Sequence, residues 1–254
     1  MRAESFALLL ALPAGACVGS FLATVRLRAR RGESWIAGRS HCDGCGVRLP
    51  WPLTLPLVGY LLSRGRCRFC RAPIDPSQPL LEGGAALLAA APFLVFPPTA
   101  ALALALLGGL LLALSLADLE AMRLPDPLVA AVALLALLLL AARHAGIAVP
   151  PLPQLDEALM GAALAAGFLV LLRCAHRQLS GREGLGWGDV KLAGASGLWL
   201  GPQALPAFFL LAGTLGLLAA IARGALRDPA RPVPFGPALA LALFLLLLLP
   251  GEDR

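Results

Sequence analysis

The chain has 254 residues, 59% of them hydrophobic and only 14% charged, with a mean hydropathy of +0.80. An ordinary soluble domain is about 45–50% apolar and about 25% charged, so a single water-soluble globule is excluded. The 21 Lys and Arg against 15 Asp and Glu give a net charge of +6, but they sit between apolar blocks and form no basic face, which argues against nucleic acid as a partner.

Lipid admits only helices or closed barrels, and no alternating strand pattern is present, so the expected fold is an all-α polytopic membrane protein. The first apolar block, residues 6–25, lacks a strongly basic start and is followed by arginines instead of a small-residue cleavage site, so it is expected as a retained helix and not a signal peptide. A polar stretch follows, from about residue 26 to 78. Further apolar blocks run 80–96, 100–117, 127–142, 158–172, 204–222 and 233–249, with a short one at 190–200. A helix crossing about 30 Å of hydrocarbon needs about 20 residues, so about eight transmembrane or half-membrane helices are expected, the short segment being a half-crossing candidate. Arg26, Arg28, Arg30 and Arg31 after the first helix, and Arg39, Arg48, Arg64, Arg66, Arg68 and Arg71 in the same loop, place that loop in the cytoplasm. If the short segment crosses, Arg123, Arg173, Arg177, Arg182, Lys191, Arg223, Arg227 and Arg231 join that side, leaving Arg2, Arg143 and Arg254 outside. The expected division is 1–79, the first helix plus a cytoplasmic subdomain, and 80–254, the membrane domain.

The polar loop holds four of the six cysteines. They read His41-Cys42-Asp43-Gly44-Cys45 and Cys67-Arg68-Phe69-Cys70, two C-x-x-C pairs close to the spacing of a tetrahedral zinc site. Gly44 is expected to ease the knuckle, and nearby arginines to keep the thiolates ionised. Four thiolates close the shell and leave no position for water, so a structural zinc is favoured over a redox dithiol or catalytic zinc. His41 is a further ligand candidate or a neighbour of the shell. Cys17 and Cys174 read as small buried hydrophobes.

Ionisable side chains near hydrocarbon need a partner or a purpose. Asp118 closes an apolar block, with Glu120 two residues on, and Asp126 follows between Pro125 and Pro127. Asp189 opens the short block in Gly186-Trp187-Gly188-Asp189-Val190-Lys191. Asp118 and Asp189 lie at one depth on the cytoplasmic side, and two adjacent carboxylates that share a proton activate water without a metal or a covalent nucleophile. Gly186 and Gly188 allow close backbone approach. The bland reading makes the aspartates helix caps, Asp126 above all, and pairs Glu120 and Glu82 with arginines. The three histidines form no serine-protease constellation.

These residues resemble the type IV prepilin peptidases, membrane aspartic proteases of the GxGD type. The resemblance spans Gly19-Ser20-Phe21-Leu22, both cysteine pairs, Arg64-Gly65-Arg66-Cys67, Pro79-Leu80-Leu81-Glu82, the Asp118 to Asp126 segment, the Gly186 to Leu192 run and Pro234-Phe235-Gly236-Pro237. Ala23 stands where the family commonly has Asn. The resemblance implies Asp118 and Asp189 as catalytic residues, with Gly186, Gly188, Lys191, Glu120 and Asp126 in support. It also implies cleavage of pilin-like or pseudopilin precursors at the cytoplasmic face of a bacterial inner membrane. N-methylation of the new amino terminus with S-adenosylmethionine is implied as well. A non-enzymatic scaffold of a pilus or secretion assembly is the alternative.

Overall fold

The computed structural model describes residues 3–34, 38–147, 149–181, 184–224 and 233–249. Arg2, Arg182, Arg227, Arg231 and Arg254, used above for orientation, lie outside these segments. The described residues form helices, short 3-10 turns and two isolated bridges, with no extended strand. Two compact units result, Met1–Pro98 and Thr99–Arg254.

In the first unit, α1 (Ala3–Arg31) packs on α3 (Ser77–Ala90) through small residues. A Cβ on Gly15 would lie 2.5 Å from the Ala85 carbonyl oxygen, and one on Gly19 would lie 2.5 Å from that of Leu81. Backbones this close leave glycine the fitting residue, which accounts physically for Gly19 in the Gly-Ser-Phe-Leu run. Leu9, Leu10 and Phe21 point away from the contact into the space that lipid fills. The same logic corrects the reading of Cys17 and Cys174, which are exposed, because an apolar side chain on a spanning helix need not be buried in protein.

α1 runs six residues beyond the apolar block. Its arginines are good helix formers and favour the negative end of the dipole. The helix then stops at Gly32 (φ 68°), with the Gly32 N–H donating to Ala29 O (3.2 Å) and the Glu33 N–H to Arg28 O (2.9 Å), a Schellman ending. Arg26 donates to Ser77 Oγ (2.9 Å) and so ties the end of α1 to the start of α3. Asp75 Oδ1 accepts the Ser77 N–H (2.8 Å), which holds its carboxyl below the usual range. Between them lie a 3-10 turn (Trp51–Thr54) and α2 (Val58–Ser63). The block expected over 80–96 becomes α3 followed by a 3-10 turn (Ala91–Leu94) containing Pro92, which cannot donate into a helix.

The second unit contains α4 (Pro98–Ala121), α5 (Asp126–His144), α6 (Leu155–Ser180), α7 (Trp187–Leu200), α8 (Leu205–Ala222) and α9 (Gly236–Leu248). Helices α1, α4, α5, α6 and α8 are long and apolar enough to cross a membrane, and α9 is a shorter apolar helix. At 1.5 Å per residue the 14 residues of α7 reach only about 21 Å. Instead α7 is enclosed by protein: Leu192, Ala193, Ser196 and Trp199 are fully buried, and it packs on α5, α6 and α9. The Trp199 indole donates to the Val132 carbonyl of α5 (3.1 Å). Against α6 the backbones touch, since a Cβ on Gly197 would fall 2.3 Å from Gly161 O, and one on Gly161 would fall 2.6 Å from Gly197 O.

Gly197→Ala is therefore expected to destabilise the protein by about 1–3 kcal/mol, the usual cost of overpacking. Gly213→Ala on α8, where an added Cβ meets nothing within 4 Å, should be neutral or stabilising by up to about 1 kcal/mol, as Ala favours helix. Thermal unfolding in detergent of the two variants beside the parent checks both.

Candidate active site and metal centre

Asp118 lies in the last turn of α4, 6% exposed, and its Oδ2 accepts the backbone N–H of Gly236 (2.9 Å). Gly236 is the first residue of α9, whose early N–H groups have no partner within their own helix. Pro237 supplies no N–H at the next position. Asp118 thus caps α9 from another element. A Cβ at position 236 would sit 2.8 Å from Asp118 Oδ2, so only glycine permits this approach.

Asp189 is the third residue of α7 and is half-buried. Its Oδ2 accepts the N–H of Gly186 (3.2 Å), the residue that caps α7, so part of the bland capping role is real. Leu124 stands between the two carboxylates' supports: a Cβ on Gly188 would be 2.9 Å from Leu124 Cβ, and one on Gly236 would be 3.0 Å from Leu124 Cδ2. Leu124 thus packs against both Gly236, which holds Asp118, and Gly188, which precedes Asp189.

Lys191 Nζ contacts Asp126 Oδ1 at 2.7 Å, linking α7 to the first residue of α5. Asp126 makes no side-chain cap; Pro125 occupies the cap position and the carboxylate turns to Lys191 instead. Both are well exposed, so the pair contributes little to stability. Glu120 is exposed. Glu82 accepts the backbone N–H of Leu57 (2.7 Å) instead of an arginine, as Leu57 has positive φ and its N–H turns toward α3.

Arg173 was not singled out as a site residue. Its guanidinium donates to the Leu185 carbonyl and stacks on Trp187, 5.0 Å from the ring centre. It therefore holds both sides of Gly186 and with them the loop that aims Asp189. A lone arginine after an apolar block looks like a topology signal, and nothing in its spacing pairs it with residues 185–187.

The four cysteine sulfurs of the first unit lie within 4.8 Å of one another, with Cys42 Sγ and Cys70 Sγ 3.6 Å apart. Tetrahedral ligation with bonds of about 2.3 Å places sulfurs about 3.8 Å apart, so the donors fit one ion with little movement. The two turns are copies, 25 residues apart. Cys42 N–H donates to Val47 O (2.9 Å) and Cys67 N–H to Ala72 O (2.8 Å); Gly46 N–H donates to Cys42 O (2.9 Å) and Arg71 N–H to Cys67 O (3.0 Å). The N–H groups of Gly44 and Phe69 reach Cys42 Sγ (3.3 Å) and Cys67 Sγ (3.4 Å). Gly46 (φ 69°) and Arg71 (φ 60°) hold the matching left-handed positions. So Gly46, not Gly44, relieves the first turn, while Gly44 lets it sit against the second, an added Cβ lying 2.9 Å from Ala72 Cβ. The N–H groups of Cys70 and Phe69, and not the arginines, hold the Cys67 thiol low, at about 6. His41 stays outside the cluster, its Nδ1 beside Arg39 O at 3.2 Å.

Residues 14–96 match the model of the bacterial peptidase A24 N-terminal domain, and residues 105–221 match that of the type IV leader peptidase family. A prepilin leader peptidase/N-methyltransferase of Aeromonas hydrophila is 41% identical over 218 residues, 83% of this chain and 71% of that protein. Proteins of the same name from Burkholderia pseudomallei (39%; 80% of this chain, 64% of that protein) and Pseudomonas aeruginosa (38%; 82% and 71%) are similar as well. No solved structure matches the chain.

Replacing both Cys45 and Cys67 by Ser leaves two thiols in the cluster and should abolish stoichiometric metal in the purified protein, read by elemental analysis. Unchanged metal content would refute the site.

Proposed function

Because the chain belongs to the type IV leader peptidase family, we propose that it cleaves the short basic leader of pilin-like or pseudopilin precursors through Asp118 and Asp189, at the cytoplasmic face of the inner membrane. The observation that supports this reading is that Gly236, whose N–H holds Asp118, and Gly188, which precedes Asp189, both pack against the one side chain of Leu124. Both sit at helix ends, the depth at which the exposed leader of an inserted precursor would present its scissile bond.

In this reading a water lies between the carboxylates. One takes a proton from the water as its oxygen bonds to the scissile carbonyl carbon, and the other gives a proton to the carbonyl oxygen. The tetrahedral intermediate then breaks its C–N bond, and the amine leaves with a proton. The Gly236 N–H keeps Asp118 oriented, and the Gly186 N–H and the Arg173 clamp keep Asp189 oriented. Lys191 and Asp126 link the start of α7 to the first residue of α5 at the surface. Gly188 lets the start of α7 sit close against Leu124.

The metal centre is assigned to zinc, held by Cys42, Cys45, Cys67 and Cys70. Four thiolates saturate a tetrahedral ion, so its contribution is to stabilise the folded loop. We assign the metal module to residues 1–79 and the peptidase chemistry to residues 80–254. The relatives' shared name supports a second activity, methylation of the new amino terminus with S-adenosylmethionine.

Asp118→Asn and Asp189→Asn should each lower cleavage of a pilin-like precursor in membranes by at least about 100-fold, while the protein still accumulates there. Asn retains an oxygen for the Gly236 or Gly186 N–H, so the supports survive. Cleavage persisting in both variants would refute the assignment. Arg173→Ala, which frees the loop before Asp189, should lower the cleavage rate by about tenfold or more while leaving precursor affinity near that of the parent.

A further inference from the structure

The first unit contains a cavity of about 150 Å³ among α1, the two cysteine turns, α2 and α3, walled in part by Leu27, Leu53, Tyr60 and Ile74. Glu82 lines it and is 3% exposed. Its Oε2 accepts the Leu57 N–H, and the carboxylate has no other hydrogen bond or ion pair among the described residues. No fully buried side-chain oxygen among them lacks a partner, so Oε1 is not sealed in; it opens on the cavity. The arginines of the wall are directed elsewhere: Arg28 to Ser34 O and Gly38 O, Arg31 to Asp43, Arg68 to Leu62 O. A carboxylate this deep, with one oxygen on a backbone amide and lining a cavity whose wall is part apolar and part polar, is placed to receive a cation.

We infer that this cavity takes the new amino terminus of the processed substrate, with Glu82 receiving the ammonium group and then its proton. The inference rests on the methyltransferase reading above. An α-ammonium followed by an apolar side chain matches a buried carboxylate beside Leu27, Leu53, Tyr60 and Ile74, the apolar part of the wall, and a nitrogen must lose a proton before it can accept a methyl group. One N–H proton passes to Glu82 Oε1. The freed lone pair bonds to the methyl carbon of a sulfonium donor as the carbon–sulfur bond breaks, its electron pair leaving on sulfur as a neutral thioether. The product is a methylated ammonium, and Glu82 returns its proton to water. Glu82 does two jobs, since its other oxygen anchors the turn at Leu57.

The test uses the full chain in detergent micelles with its metal, a hexapeptide amide beginning with phenylalanine, and the same peptide N-acetylated. Because the peptide has a free amino terminus from the start, leader cleavage is not required. Calorimetry should show the free amine binding at least about tenfold tighter than the acetylated peptide. Glu82→Gln, which keeps an oxygen for the Leu57 N–H, should remove that preference and lower methyl transfer from S-adenosylmethionine by about 100-fold or more. Glu82→Asp should recover amine binding, and bound metal equal to the parent's checks the fold of each variant. Equal binding of both peptides by the parent, or parental amine affinity in Glu82→Gln, overturns the inference. Amine binding through Glu82 without any methyl transfer by the parent supports the amine site and overturns the methyltransferase reading instead.

Discussion

The contact on which the peptidase half depends is the hydrogen bond from the Gly236 amide to Asp118. A carboxylate in so apolar a setting is costly unless a donor faces it, and a helix start has donors without partners. Each solves the other's problem. The bond joins the end of α4 to the beginning of α9, elements far apart in the chain, and fixes the depth of one of the two carboxylates. The run Pro234-Phe235-Gly236-Pro237 acquires a physical meaning: proline ends the preceding loop, glycine admits the carboxylate, and the second proline starts a helix where no N–H is needed.

The helical class and the number of apolar blocks were legible in the chain because lipid requires continuous apolar runs, and each such run holds a helix. Their ends were less legible. The block at 158–172 grew into α6, Leu155–Ser180, since polar residues such as Arg173 and His176 continue a helix once it leaves the apolar layer. The reverse happened at Pro92, where an apolar run continued but the helix did not.

The cysteine cluster was readable because each C-x-x-C pair is local, so spacing alone carries its geometry. Asp118 and Asp189 were legible as expensive residues at helix ends and through the family resemblance, while Arg173, Leu124 and Gly236 were not readable as site residues. Their contacts join positions up to 118 residues apart, and no periodicity encodes such a pairing. The duplication of the cysteine turns was likewise hidden, because backbone hydrogen bonds repeat while the side chains between the cysteines differ, Asp43-Gly44 in one and Arg68-Phe69 in the other.

The touching backbones of α6 and α7 at Gly161 and Gly197 bear on how a substrate enters. No side chain lies between them to rotate aside, so neither helix gives way locally, and a wedge driven there would have to separate main chain from main chain. A helical guest from the bilayer meets the pair as a fixed wall. The lipid lying against the outer faces of these helices is far easier to displace, so any opening for a helical guest falls elsewhere than between α6 and α7.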